Sequence, residues 1–110
     1  MEFGECMYLV NAFSANMLAE FPASVKFVEK TLDEAKALLA AGFISAVGHA
    51  DTASVFADVL SLGVETKRVT LTLKKGDVAI VGQYRGPRLE EGAKHLPEGA
   101  TIQWLLITID

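Results

Sequence analysis

A single cysteine, Cys6, is the most conspicuous scarcity in this chain. One thiol closes no intrachain disulfide and builds no cysteine zinc site, so a reducing, cytoplasmic setting is expected. The two histidines, His49 and His95, lie far apart without a cysteine or carboxylate at ligand spacing. That inventory predicts neither a metal site nor a cofactor. Long hydrophobic runs are missing too: LLAAGFISAVG (38–48) is about half of what a membrane span needs and is interrupted by Gly42. MEFGEC lacks the basic region and apolar segment of a secretory signal, so a soluble protein with no membrane partner is expected. Positive charge is in deficit, with a net charge of −4, which argues against DNA as a partner. There is no Walker-type loop and no GxGxxG, and Ser14 lacks the surroundings of a hydrolase nucleophile.

What is present suits one small domain, residues 1–110, with enough apolar residues for an ordinary core. MYLVN (7–11) reads as a short buried strand, and NAFSANMLAEFP as a loop with one helical turn. ASVKFVEKT alternates as a half-exposed strand does. Thr31-Leu32-Asp33-Glu34 is a capping box, opening a helix LDEAKALLAA that Gly42 ends. FISAV (43–47) is a short extended approach to a second helix. There Ala53, Phe56, Val59 and Leu60 recur at helical spacing, and Gly63 is the expected stop. Three further strands are expected: KRVTLTL (67–73), DVAIVGQY (77–84) and TIQWLLITI (101–109). Lys74-Lys75-Gly76 would join the first two as a hairpin. The pattern predicts an α/β domain: a mixed sheet of about five strands flanked by helices.

Three polar segments interrupt this plan where elements begin or end: NAFSAN (11–16), GHADT (48–52) and RGPRLEEG (85–92). α/β folds build sites at such places. His49 stands at the start of the second helix, where free amides and the helix dipole favour a bound phosphate. A histidine there can exchange a proton with a substrate; alternatively, its ring simply caps or packs on the helix. Residues 67–88 hold six basic residues, Lys67, Arg68, Lys74, Lys75, Arg85 and Arg88, against Asp77 alone. Lys74 and Lys75 read as a solvated turn; the arginines read equally as solvated faces or as phosphate partners. His95 reads as a surface residue. Together with Glu91, a histidine and these arginines suit metal-free chemistry on a phosphodiester: cations offset charge gathering on the phosphorane, and a histidine handles the proton.

NAFSANML, ISAVGHADTA, KRVTL with GDVAIVGQ, and RLEEG, in that order, resemble the type III anti-CRISPR ring nucleases of archaeal viruses and phages. The similarity runs from about residue 8 to the C-terminus. The resemblance implies a homodimer that binds cyclic tetra-adenylate in a pocket spanning both subunits and cuts it to linear di-adenylates without metal. It places His49 on the catalytic histidine, and Arg88 and Glu91 on the arginine and glutamate of the family's RLxEG segment. Arg68 matches an arginine near the phosphates, and Asn11, Ser14 and Asn16 match polar residues that hold the ring. QYRGPR departs from the family by one extra residue between Gln83 and Arg88, bringing a second arginine, Arg85, that can share the phosphate contact. Two rival readings remain at this level: a module that sequesters the cyclic nucleotide uncut, and a structural protein with no ligand.

Overall fold

Neighbouring residues of a strand face opposite sides of its sheet, and this alternation divides the core in two. A computed structural model describes residues 7–69 and 71–110, so Cys6 and the first strand's approach lie outside the described residues. Strand β1 (Met7–Val10) gives Leu9 to one hydrophobic cluster and Val10 to the other. Strand β4 (Val78–Arg85) likewise gives Ile80 to the first and Ala79 and Val81 to the second. With β2 (Val25–Lys30), β3 (Ile44–Ser45) and β5 (Thr101–Ile109) they form one mixed sheet in the order β2-β5-β4-β1-β3. β3 and β4 flank β1 in parallel, while β5 runs antiparallel to both β4 and β2.

Both helices serve the first cluster, where Ala35 and Leu39 of α1 (Leu32–Ala40) and Ala53, Phe56 and Leu60 of α2 (Ala50–Leu60) meet Leu9, Ile80 and Trp104. The expected capping box is formed: the Thr31 N–H donates to Glu34 Oε1 at 2.9 Å and the Glu34 N–H to Thr31 Oγ1 at 3.2 Å. Gly42, with φ +120°, follows the last turn as expected. α2 ends earlier than Gly63 implies, because Ser61 itself adopts the left-handed conformation, φ 56°. The loop after β1 holds a single 3₁₀ turn, Ala15–Met17.

The strand expected at 67–73 is not formed among the described residues. Leu73 and Thr66 make isolated bridges to Leu18 and Val47 instead. The turn after it is real: the Lys74 N–H donates to Asp77 Oδ2 at 2.8 Å and the Asp77 N–H to the Lys74 carbonyl at 2.9 Å. The hairpin fails because β4 has no free edge, being paired with β1 on one side and β5 on the other. Instead, the Lys67 N–H donates to the Val47 carbonyl at 2.8 Å and the Ala19 N–H to the Leu73 carbonyl at 2.8 Å. No helix among the described residues is long and apolar enough to cross a membrane.

Candidate functional site

β3, β1 and β4 are parallel neighbours whose carboxyl ends point the same way, β1 ending level with Val81 and β4 running on to Arg85, and chain leaving such ends forms the usual ligand crevice of α/β sheets. Asn11 leaves β1, the run Ala46–His49 leaves β3, and Gly86–Arg88 leaves β4. Two of the three polar segments, GHADT and RGPRLEEG, meet in one depression although they are distant along the chain, while NAFSAN borders a separate hollow.

His49 is the N-cap residue of α2, exposed, and its ring makes no hydrogen bond to the helix amides. Capping therefore does not account for a histidine here. It lines an open depression of about 410 Å³ together with Asp51, Thr52, Tyr84, Gly86, Arg88 and Leu89. The first-turn amides of α2 lack intrahelical partners and carry the positive end of the helix dipole, so this rim favours an anion. Arg68 adjoins it, since a side chain at Gly48 would come within 3.8 Å of the Arg68 Cγ. One imidazole ring, the Arg88 side chain and a helix start are thereby gathered in one depression, with the stem of Arg68 close by at Gly48.

The loop bearing Arg88 is shaped locally. Gly86, with φ +157°, sits so close to Ala100 that an added Cβ would lie 2.6 Å from the alanine methyl, so a larger residue would push the loop away. The Tyr84 hydroxyl donates to the Pro87 carbonyl, holding the chain just before Arg88. The Gly92 N–H donates to Asp51 Oδ1 at 2.9 Å, across 41 positions of sequence.

The other expected residues distribute around this depression. Arg85 turns to β5, where its Nη2 donates to Gln103 Oε1 at 3.1 Å, an oxygen that also accepts from Gln83 Nε2 at 3.0 Å. Of the two arginines in QYRGPR, it is Arg88 that lines the depression with His49. Glu91 is exposed and borders a neighbouring hollow that it shares with Arg88, Lys94 and His95. Ser14 and Asn16 line a third hollow of about 240 Å³ with Val69 and Leu71, while Asn11 lies half-buried just beyond β1. Arg68 lies near Gly48, and Val69 lines the hollow that holds Ser14. His95 is exposed, and its Nδ1 lies 3.1 Å from Asp58 Oδ2.

Sequence reasoning assigned no role to Asp51, Thr52 or Tyr84, all of which line the depression. Asp51 and Thr52 stand directly after His49 in GHADT, and that adjacency was the available signal. Tyr84 had a weaker one, a polar aromatic at the last turn of an apolar strand. Among the described residues no three His, Cys, Asp or Glu side chains come together in a way that could hold a metal ion.

No curated protein matches the chain. Among solved structures it is similar to B116 of Sulfolobus turreted icosahedral virus, with 25% identity and a TM-score of 0.78 over 94% of this chain and 98% of that one. The sequence model of the STIV B116-like family matches residues 7–101, nearly the whole described fold and all three polar segments, and the chain belongs to that family.

Proposed function

We propose that the protein is a metal-independent ring nuclease that cuts cyclic tetra-adenylate into linear di-adenylates and so switches off type III CRISPR signalling. The observation that carries this reading is that His49 and Arg88 line one depression at the start of α2, with Arg68 beside it. These are residues that the resemblance of GHADTA, KRVTL and RLEEG assigns to the chemistry. In the proposed reaction a ribose 2′-oxygen attacks its adjacent phosphorus while the bond from phosphorus to the 5′-oxygen breaks. The 2′-hydroxyl proton leaves to solvent, and a 2′,3′-cyclic phosphate is formed. His49 supplies a proton to the departing 5′-oxygen. Arg88 neutralises charge on the phosphorane, and Arg68 and the α2 amides hold the flanking phosphates. Glu91 orients Arg88 from the neighbouring hollow. Most of the rate comes from holding the ribose in line, which converts binding into proximity.

A second copy of the chain completes the site in this reading. One depression here offers about 410 Å³, within the range of about 300–1,000 Å³ for pockets of drug-sized ligands, and a ring of four nucleotides is larger than such a ligand. A twofold dimer presents two equivalent sets of residues to a ring of matching symmetry, giving two opposite cuts. Sedimentation should return twice the chain mass, and a fully active monomer would contradict it.

The decisive experiment incubates the protein with labelled cyclic tetra-adenylate in excess EDTA. Linear di-adenylates are the expected product. A ring lacking the 2′-hydroxyl at both scissile positions should bind and stay intact. Tight retention of the natural ring without cleavage would identify a sequestering module, and loss of cleavage on chelation, restored by a divalent ion, would overturn the metal-free mechanism.

A further inference from the structure

Arg88 sits in an exposed connector of fifteen residues, 86–100, with two turns of its own, Ala93 N–H to the Glu90 carbonyl and Ala100 N–H to the Pro97 carbonyl, each at 3.0 Å. The Tyr84 bond to the Pro87 carbonyl holds this connector before Arg88, but the exposed chain after Arg88 needs ties of its own. Two carboxylates of α2 reach it, Asp51 to the Gly92 N–H at 2.9 Å and Asp58 to His95 at 3.1 Å. They are seven residues apart, two helical turns, and therefore share a face. The second tie is an exposed pair, with side chains 79% and 46% accessible, and such pairs contribute little. The first is also exposed, but it is a charge-assisted bond from a backbone N–H to a carboxylate, and bonds of this kind are about twice as strong as neutral ones.

A carboxylate beside a phosphate site repels the ligand, so its presence in the first turn of α2 calls for a reason of its own. Its favourable interaction with the helix dipole is one, but an aspartate elsewhere in the turn would supply that equally. The bond to Gly92 is specific to this position. Gly92 has φ +84°, a conformation that suits glycine and aims its amide at the carboxylate. We infer that Asp51 is a positioning residue: by accepting the Gly92 amide it fixes the RLEEG loop against the helix that begins at His49, and so sets Arg88 opposite that histidine. Asp51 itself touches no reacting atom. Its effect on cleavage rests on the proposed function, whereas the contact does not.

The test compares Asp51→Ala with Asp51→Asn, which keeps an oxygen at the same place. Alanine is the best helix former, which offsets part of the dipole interaction that Asp51→Ala gives up. Amide hydrogen exchange by NMR on the ligand-free protein reads the contact. The Gly92 amide should exchange at least about tenfold faster in Asp51→Ala and near the parental rate in Asp51→Asn. With cyclic tetra-adenylate, Asp51→Ala should lose single-turnover rate on the order of 10²-fold, the usual effect of a small misplacement, and lose less in affinity. Asp51→Asn should restore most of both. Unchanged Gly92 exchange in Asp51→Ala, or a rate loss as large in Asp51→Asn, overturns the inference, the second by assigning the effect to charge. A parental protein that leaves the ring uncut sinks the ring-nuclease reading instead, and the exchange data then decide the contact alone.

Discussion

Gly82 of β4 lies directly opposite Trp104 of β5, and the indole occupies the space that any side chain at Gly82 would need. A Cβ there would lie 2.7 Å from Trp104 Cζ3 and 2.6 Å from Phe56 Cζ, two rings whose centroids are 5.2 Å apart. This contact joins α2 to the middle of the sheet, so it sets the height at which the helix, and His49 at its start, sits. Gly82→Ala should therefore force the ring pair apart, at a cost typical of overpacking, about 1–3 kcal/mol. Thermal unfolding followed by circular dichroism should show a clearly lower melting temperature. An unchanged one would mean that the rings move aside freely.

The start of α1 makes a prediction that depends on pH. The Glu34 carboxyl is held below its ordinary value of 4.5, chiefly by the hydrogen bond from the Thr31 backbone N–H, with smaller help from the Thr31 side chain and Lys30. A carboxyl lowered by folding stabilises the native state fully above its unfolded value, and that contribution fades as pH falls through the folded one. Glu34→Ala should thus melt below the parental protein at neutral pH, with the gap narrowing in acid below about pH 4.5. Thr31→Ala removes the cap acceptor for the Glu34 amide and should cost about 1 kcal/mol. A gap between Glu34→Ala and parent that stays constant down to acid pH would show that the charge contributes nothing.

How much of this could be read in the sequence follows from how local each signal is. The limits of α1 were legible because Thr31, Glu34 and Gly42 act within a turn of where they stand. The end of α2 was not, since the sequence offered Gly63 and the chain turned at Ser61, a residue without a strong left-handed preference. Residues 67–73 alternate as a strand should, but a strand also needs a free neighbour, and β4 had none. The site divides the same way. His49 and Arg88 were legible as polar residues at element ends, and the fold brings both to one depression. The role of Asp51 was not, because it depends on a backbone amide 41 positions away, and that of Tyr84 was not, because its partner Pro87 is local but the bond carries no sequence signature.

The last prediction separates the two residues that share the depression. His49 offers one nitrogen to a departing oxygen, a contact that strengthens only as charge develops there. In the proposed complex, binding is spread over four phosphates, four bases and the arginines of two subunits. Removing a general acid typically costs on the order of 10²–10⁴ in rate, so His49→Ala should keep near-parental affinity for cyclic tetra-adenylate and lose most single-turnover cleavage. Arg88 pairs with a ground-state phosphate as well as with the phosphorane, so Arg88→Ala should weaken affinity and rate together. Arg85→Ala provides the contrast: its guanidinium is engaged with Gln103 outside the depression, and both quantities should stay within a few-fold of the parent. Affinity and single-turnover rate measured on all three variants distinguish these outcomes. Cleavage at the parental rate by His49→Ala would remove the histidine from the chemistry and leave the arginines as a binding surface, which is the sequestering reading.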